Sequence, residues 1–362
     1  MFIYFLPLIL LSTLSYIENF SNLKYYVKNK YVVSLVSILL IIFVGFRYEY
    51  GCDWDAYKLL FQETSKANIL DLLDTEKYFE IGHSLISKLI SLKFDFYMLI
   101  FYYSLLFIIP LIIFCLQFKR TFLALTISYP YYVVVVTATL RQGASISLLM
   151  LSFYFLIKNK NIFIYFVTFF SLLIHQSSIL FNGLIIFYSN NEFNKKLNKV
   201  FIYVFYLFIS ILLIKNSSYI FTKIRDYFFD YYISSAQPAK GSIFVWILVS
   251  IPSFIFLKNI SMFQFQKEIK KTIKLFSIIS ILFFPLIFFN SVVALRLMLY
   301  LFPSVIYISA HLPDINIFKL KSIDILNGIV IFAFINLAIW LRFANHAYCW
   351  LPYKNLLFDK IF

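Results

Sequence analysis

The residues of this chain that could do chemistry stand at the edges of long apolar runs. They are Arg47, Asp53, Tyr57, Glu80, Arg141, Gln142, His175, Arg296 and Arg342. A charged side chain beside hydrocarbon is costly unless it is paired or binds a ligand, so such positions are candidates for a functional site. Arginine holds phosphate or carboxylate through two parallel hydrogen bonds, and histidine exchanges a proton near neutral pH. These residue types suit a site that binds an anion and activates a hydroxyl group.

The segment 45–57 is the densest of these edges, because an arginine, several carboxylates and several aromatic rings follow an apolar run directly. Its Asp53-Trp54-Asp55 resembles the Asp-x-Asp metal site of some sugar transferases, but Arg47 nearby could satisfy one carboxylate or pair with Asp53. The sequence shows no His/Cys cluster at metal-binding spacing and no glycine-rich phosphate loop. It therefore predicts no metal ion and no cofactor, with a divalent ion at the two aspartates as the alternative.

The elements that position these residues are long and apolar. The chain is 62% hydrophobic and only 14% charged, whereas a water-soluble domain carries about 25% charged residues. The apolar runs are continuous and do not alternate with polar residues, which favours membrane-spanning helices over strands. We predict an all-α, polytopic integral membrane protein of about twelve transmembrane helices.

The predicted protein is a single transmembrane domain over residues 1–362, with two longer outer loops at about 47–95 and 215–242. The predicted spans are 2–17, 31–46, 96–118, 121–138, 142–157, 161–175, 177–188, 200–214, 243–257, 273–290, 296–311 and 323–341. The apolar start carries no basic segment, so we interpret it as a retained first helix. Aromatic residues in the second loop are typical of an interfacial belt, and the alternative is a lid that stacks on sugar rings.

The basic residues set the predicted orientation. With the N-terminus outside, most lysines fall in short inner loops, as they do in cytoplasmic loops generally, and both termini lie outside. The lysine clusters then explain the net charge of +15 without a nucleic-acid partner. Arginine is distributed differently, because only Arg120 falls inside and every other arginine falls outside. This asymmetry favours an anionic ligand at the outer face, and scattered arginines at helix ends are the alternative.

Two local patterns add to this prediction. Residues 78–92 predict an amphipathic helix that lies on the membrane surface, with Glu80 at its start facing a pocket or water. Cys52 and Cys349 fall on the same predicted face and could pair, although we expect unpaired thiols. Cys115 is expected inside a span.

Taken in order along the chain, a set of short motifs resembles the EpsG-like group of bacterial polysaccharide polymerases, which includes many Wzy-type O-antigen polymerases. The motifs are Arg47, Gly51, Asp53 and Tyr57, then Glu80-Ile81-Gly82, Arg141-Gln142, His175 with Ser177 and Ser178, Arg296, and Pro352-Tyr353. The resemblance implies a multi-pass enzyme of the bacterial inner membrane. Such an enzyme joins oligosaccharide repeat units carried on undecaprenyl diphosphate at the periplasmic face. The outer side of the charge pattern, which holds both termini, is then the periplasmic side. It also implies membrane lipid and a chain-length regulator protein as partners.

The residue types and the resemblance together give a site hypothesis. The predicted diphosphate-binding residues are Arg47, Arg141 and Arg296, the predicted catalytic residues are His175, Asp53 and Glu80, and Gln142, Tyr57 and Arg342 have secondary roles. In this hypothesis the arginines stabilise the leaving diphosphate, and His175 removes the proton of the acceptor hydroxyl, with Asp53 or Glu80 as the alternative base. An O-antigen ligase and a flippase or transporter of lipid-linked oligosaccharide remain the alternative functions.

Overall fold

The structure, a computed structural model, describes residues 1–19, 30–69, 71–73, 80–188, 240–315 and 320–357. The described part is helical, and its extended residues form a single isolated bridge between Arg47 and Asn355. The α-helices are α1 Phe5–Asn19, α2 Lys30–Gly45, α3 Trp54–Lys66, α4 Ile81–Ser91, α5 Phe96–Cys115, α6 Thr121–Ser128, α7 Leu140–Ile157, α8 Asn161–Ile174, α9 Ile179–Tyr188, α10 Lys240–Lys258, α11 Lys267–Phe289, α12 Ser291–Leu299, α13 Phe302–His311 and α14 Ser322–Phe343. Short 3-10 turns precede α1, α4 and α9 and follow α13 and α14.

Six helical stretches of the described chain are long and apolar enough to cross a membrane. They are Phe2–Asn19, Phe96–Cys115, Leu140–Ile157, Gly241–Lys258, Lys267–Phe289 and Ser322–Phe343. The pair α12 and α13 passes the same test together, but it is bent by 53° at the break between the two helices. The described chain therefore contains six candidate spans, or seven if the bent pair is one span. This confirms the general part of the prediction, a helical protein with several helices able to cross a membrane.

The predicted count of about twelve spans exceeds the six or seven candidate spans found among the described residues. The predicted spans 31–46, 161–175 and 177–188 correspond to shorter apolar helices, and the predicted span 200–214 lies outside the described residues. Most of the second predicted loop, 215–242, also lies outside them. The first predicted loop, 47–95, contains two helices, α3 and α4.

The predicted span 121–138 is not a uniform α-helix. After α6 the chain continues as a π-helical turn, Tyr129–Val133, which contains Pro130, and then as a 3-10 turn, Val136–Ala138. Proline cannot donate a backbone hydrogen bond and disrupts the regular helical pattern. The backbone N–H of Ala138 donates to Val135 O (3.1 Å). The carbonyl of Val134 is therefore left to accept from groups outside the helix.

Side chains from both ends of the sequence occupy the carbonyls of this irregular stretch. The Tyr50 hydroxyl and the Trp350 indole donate to Val134 O at 2.7 and 3.0 Å. The guanidinium of Arg47 donates to both the hydroxyl and the carbonyl of Thr137, and it lies over the Tyr50 ring at 4.6 Å. Arg47 is only 2% exposed. These donors satisfy buried carbonyls that would otherwise be costly.

The C-terminal segment 349–356 lies against the segment 46–51. Backbone hydrogen bonds run from Gly51 N to Cys349 O (2.8 Å) and from Leu356 N to Phe46 O (2.7 Å). This pairing brings Cys52 and Cys349 together, and they form a disulfide with a Cα–Cα distance of 5.1 Å. The expectation of unpaired thiols was therefore wrong, because backbone contacts between distant segments cannot be read from cysteine spacing. Cys115 is the last residue of the candidate span α5, as expected, and it is buried and free.

At the opposite end of the helices, hydrogen bonds and ion pairs join residues from three of the predicted inner loops. The carboxylate of Glu18 accepts from the backbone N–H of Thr121 and Phe122 at 2.9 and 3.0 Å and so caps α6. Arg120 contacts Asp314 at 2.7 Å and donates to Asn19 at 2.8 Å. The contacts thus group residues that the charge pattern had assigned to one face.

The helix α4 confirms the predicted amphipathic helix but has an unexpected orientation. Its polar face is the buried one, because Gly82, His83, Ser84 and Ser87 are all buried, whereas Leu89 is 65% exposed. The polar side chains of α4 therefore face the other helices, whereas Leu89 faces outward and the remaining apolar side chains of the helix are only partly buried.

Candidate functional site

Three predicted site residues lie at the ends of packed helices. Arg141 is in the first turn of α7, and His175 directly follows α8, which returns alongside α7 after a short turn. Both residues therefore lie at the same end of this helical hairpin. Glu80 immediately precedes α4. A Cβ atom at Gly82 would lie 2.6 Å from the carbonyl oxygen of Leu173, so only glycine lets the start of α4 approach the end of α8 this closely.

Glu80 is the centre of the resulting cluster. One carboxylate oxygen of Glu80 lies 2.7 Å from Nη1 of Arg141, and the other contacts Nδ1 of His175. The Glu80 side chain is 8% exposed, whereas those of Arg141 and His175 are 27% and 20% exposed. The carboxylate is therefore enclosed, and the two cationic or basic groups extend from it toward the surface.

The charges fix the protonation of this cluster. Burial raises the pKa of Glu80, but His175 and Arg141 outweigh burial and hold that pKa at about 2. Glu80 is then ionised at neutral pH and can only accept hydrogen bonds. Nδ1 of His175 must donate to it, so Nε2 is the nitrogen of the neutral ring that can take up a proton. A carboxylate that orients a histidine in this way is a common device for general base catalysis.

An inner layer of rings supports the cluster. The guanidinium carbon of Arg141 lies 5.7 Å from the centre of the Tyr57 ring, and Tyr57 packs against His83 with ring centres 5.8 Å apart. Nδ1 of His83 lies 2.6 Å from the hydroxyl of Tyr103 on α5. Burial, together with the charge of Arg141, lowers the pKa of His83 to about 3. His83 is therefore a neutral, buried ring at neutral pH.

The backbone of α12 at Arg296 contacts the hairpin formed by α7 and α8. The side-chain amide of Gln142 donates to Arg296 O at 2.6 Å. One turn later, at the bend between α12 and α13, the Tyr300 hydroxyl lies 2.8 Å from Ser145 Oγ and 3.0 Å from Ser177 Oγ. The Arg296 side chain itself is exposed. The structure thus holds α12 next to the residues that follow Arg141 and His175.

The remaining predicted site residues lie elsewhere. Arg47, predicted to bind the diphosphate, is buried against Thr137, and this contact takes the place of the alternative pairing of Arg47 with Asp53. Asp53 is exposed just before α3, and Arg342 is exposed near the end of α14. Among the described residues, no group of three or more histidines, cysteines or acidic residues is placed to hold a metal ion.

Sequence reasoning did not assign roles to His83, Tyr103 or Tyr300. The position of His83 three residues after Glu80 was a usable signal, because residues at that spacing lie on one side of a helix. Tyr103 lies inside the apolar helix α5 and Tyr300 lies at the bend between two apolar helices, so neither has a local signal. Their roles depend on contacts with distant parts of the chain.

Comparison with known proteins adds to this geometry. Neither the curated proteins nor the solved structures give a match to the chain. The sequence model of the EpsG family matches residues 30–355, which include every predicted site residue. The chain therefore belongs to the EpsG family.

Proposed function

We propose that this protein is a polysaccharide polymerase that joins oligosaccharide repeat units carried on undecaprenyl diphosphate. Membership of the EpsG family supports a membrane glycosyltransferase of this general kind. The observation that carries the proposal is the Glu80 carboxylate, which contacts Arg141 and His175 at once. A cation for an anionic leaving group and a histidine for an acceptor hydroxyl are thereby held together, as group transfer from a lipid diphosphate requires.

In the proposed reaction, Nε2 of His175 removes the proton from a hydroxyl group of the incoming repeat unit. The oxygen attacks the anomeric carbon of the donor sugar, and the bond from that carbon to the diphosphate breaks. The undecaprenyl diphosphate leaves with the electron pair, and Arg141 and Arg296 stabilise its growing negative charge. Glu80 orients His175 in this scheme and is not itself the base. No nucleotide, metal or other cofactor takes part in the proposed reaction.

The predicted secondary residues have supporting roles in this proposal. Tyr57 contacts the guanidinium of Arg141 and positions it. Gln142 contacts the backbone of Arg296 and positions α12. Arg47 supports the turn before Arg141, because its guanidinium is enclosed against Thr137. Asp53 and Arg342 are exposed and would meet the carbohydrate.

We place the protein in the bacterial inner membrane, with the Glu80 cluster and both termini at the periplasmic face and about twelve spans in total. Two observations support this orientation. Disulfides persist in oxidising compartments, and Cys52–Cys349 joins the segment just before α3 to the C-terminal segment. At the other end, Lys158 and Lys160 between α7 and α8 are exposed, as is typical of cytoplasmic loops. We expect a chain-length regulator protein and membrane lipid as partners, and no nucleic acid.

An O-antigen ligase and a flippase or transporter of the same lipid-linked unit are the competing functions. A flippase would need cationic side chains along a cavity through the membrane, whereas Arg141 and His175 lie at one end of a helical hairpin. A ligase would share the chemistry and differ only in its acceptor. The lipopolysaccharide of a deletion strain separates these functions. Loss of a polymerase leaves core with a single repeat unit, and loss of a ligase or flippase leaves bare core.

The direct test supplies purified lipid-linked repeat units to the purified protein without nucleotide or metal. We expect a ladder of polymers, and we expect Arg141→Ala to abolish it while the protein still reaches the membrane. The exposed Lys58→Ala substitution on α3 is the control for a lost surface cation. A wild-type protein that makes no polymer, or an Arg141→Ala protein with normal chain lengths, would contradict the proposal.

A further inference from the structure

Tyr300 lies at the bend of 53° between α12 and α13. It is fully buried, and its ring lies flat against that of Phe181 on α9, with ring centres 5.2 Å apart. Its hydroxyl contacts Ser145 on α7 and Ser177 in the turn after His175. A hydroxyl enclosed this deeply is costly to leave unpaired, so its partners are specific. One hydroxyl therefore meets two of the elements that carry candidate site residues.

The hydrogen bonds around Tyr300 have one consistent direction. Ser145 Oγ lies 3.0 Å from Gln142 O, which can only accept, so Ser145 donates its single hydroxyl proton there. Tyr300 then donates to Ser145, and Ser177 donates to Tyr300. Chains of this kind polarise one another and are stronger than isolated hydrogen bonds. Because the chain ends on a backbone carbonyl, it cannot pass a proton onward, and its contribution is to hold positions.

Two contacts, one helical turn apart, fix α12 against α7. Gln142 Nε2 donates to Arg296 O at 2.6 Å, and the hydroxyl groups of Ser145 and Tyr300 are 2.8 Å apart. Residues three or four apart lie on one face of a helix, so both contacts belong to the same pair of facing sides. The first turn of α7 also carries Arg141. The start of α7 and the end of α12 therefore form one fixed unit.

The turn that follows His175 is held from two sides. Ser177 in this turn contacts the Tyr300 hydroxyl at 3.0 Å, on the side of α12. On the side of α9, Asn182 Nδ2 donates to Ser178 O at 3.2 Å. The Asn182 contact does not involve the tyrosine, so the turn remains held when the tyrosine hydroxyl is removed. The tyrosine therefore fixes the turn relative to α7 and α12 and is not needed to form it.

We propose that Tyr300 is a positioning residue for the proposed reaction, and that its hydroxyl holds the turn after His175 in place beside Arg141. This inference rests on the proposed polymerase function and assigns the tyrosine no contact with substrate. The base and the cation act on different parts of one transition state, and a misplacement of about 1 Å can cost about 100-fold in rate. Glu80 holds His175 through its side chain, and the contact between Ser177 and Tyr300 holds it through the backbone.

Tyr300→Phe tests this directly, because it removes the hydroxyl and keeps the ring that stacks on Phe181. We expect kcat of the folded protein to fall by about 10–100-fold with KM nearly constant, since only the alignment of the reacting groups is lost. Tyr129→Phe is the matched control, since Tyr129 is equally buried and its hydroxyl donates to Tyr4 O at 2.8 Å. We expect this control to lose thermal stability and to keep its kcat. A wild-type kcat in Tyr300→Phe, or an equal loss of kcat in both variants, would overturn the proposal.

Ser177 provides a second variant at the other end of the same contact. Ser177→Ala should also lower kcat, and the double variant should lose no more than Tyr300→Phe alone, because both substitutions remove one contact. Ser177→Thr keeps a hydroxyl and should retain more activity than Ser177→Ala. Losses that multiply in the double variant would show that the two residues act separately, which contradicts the proposal.

A third measurement does not depend on turnover and follows the accessibility of His175. Diethyl pyrocarbonate acylates accessible imidazole nitrogens, and mass spectrometry of the peptides gives the rate at each histidine. We expect the rate at His175, relative to the exposed His346, to rise about fivefold in Tyr300→Phe, as the loss of one buried hydrogen bond allows. An unchanged rate would overturn the proposal. If wild type makes no polymer, the polymerase proposal fails, and this rate still decides whether Tyr300 holds the turn.

Discussion

At the scale of single residues, Glu80 decides whether the cluster works. It is enclosed and ionised, and it contacts both Arg141 and His175. Glu80→Gln keeps the shape but removes the charge and turns one acceptor into a donor. We expect polymer formation to fall by about 10²–10⁴-fold, the range typical of a lost acid–base contribution. The measurement is the polymerisation assay with purified lipid-linked units.

The control for this substitution is Glu63→Gln, because Glu63 is exposed on α3. We expect it to keep wild-type activity. Glu80→Asp keeps the charge on a shorter side chain and should retain more activity than Glu80→Gln. Full activity in Glu80→Gln would show that the carboxylate does not organise His175.

His83 predicts how stability depends on pH. Its pKa is lowered by burial to about 3 in the folded protein, against about 6.5 in the unfolded chain. The unfolded state therefore binds a proton first, and stability falls as pH drops below 6.5 and continues to fall until about 3. Glu80 acts in the same direction at lower pH, because its folded pKa is about 2. Stability from Glu80 is present above about 4.5 and is lost toward 2.

We expect thermal unfolding in detergent to show a loss of about 2 kcal/mol between pH 7.5 and pH 5, mainly from His83. The ionisable groups that face or influence His83 are Glu80, Arg141, His175, Tyr57 and Tyr103. Among them, His175 is the other histidine, so His83→Asn is compared with His175→Asn. We expect the pH dependence to flatten in His83→Asn and to persist in His175→Asn. The opposite pattern would assign the dependence to His175.

The sequence identified most single residues of the cluster and none of its contacts. Glu80, Arg141 and His175 each stand out, because each is polar at the edge of an apolar run. Their meeting depends on how α4, α7 and α8 pack, and spacing along the chain does not contain that information. Arg47 is a second example in which spacing along the chain did not reveal a contact. Its position at an apolar edge predicted a ligand contact, but the irregular turn after Pro130 leaves carbonyls that bind it inside the protein.

At the scale of elements, the approach of α4 to α8 holds Glu80 beside His175. Gly82→Ala would place a methyl group 2.6 Å from Leu173 O, which is backbone and cannot turn aside. We expect a loss of about 1–3 kcal/mol in stability, as for other overpacked sites, together with lower activity as Glu80 moves away. Thermal unfolding and the polymerisation assay measure both effects.

The matched control is Gly183→Ala in α9, where a Cβ atom meets no heavy atom within 4 Å. Alanine at an open helical position stabilises by about 0.4–1 kcal/mol, so the two substitutions should have opposite signs. A neutral Gly82→Ala would mean that α4 and α8 can separate without loss. The orientation of α4 would then not be fixed by this contact.

The amphipathic pattern of residues 78–92 correctly predicted a helix. It could not predict which face of that helix is buried. Amphipathic periodicity shows that two faces differ and does not state which face is buried. In a membrane the outer surface is itself apolar, so polar residues gain by facing polar partners inside. His83 facing Tyr103 is the contact that reverses the usual orientation.

At the scale of the whole molecule, two ends of the helical bundle differ in chemistry. One end holds the Glu80 cluster, and the segment beside it is closed by Cys52–Cys349. The other end holds Arg120, Asp314 and Glu18. The charge pattern predicted this division from lysine and arginine positions alone, since charge statistics reflect the membrane and not the packing. The span count is less predictable, because short and bent helices do not follow the usual relation between length and crossing.

This division predicts on which side of the membrane each end of the bundle lies. Introduced cysteines can test the prediction, because the native cysteines are not expected to react. Cys52 and Cys349 are joined and Cys115 is buried, so none should react with maleimide. Lys58 on α3 and Lys160 before α8 are both exposed, and each is replaced by cysteine. We expect a membrane-impermeant maleimide to label Lys58→Cys in intact cells and Lys160→Cys only after permeabilisation. The reverse pattern would put the Glu80 cluster on the cytoplasmic face, where the proposed periplasmic polymerisation could not occur.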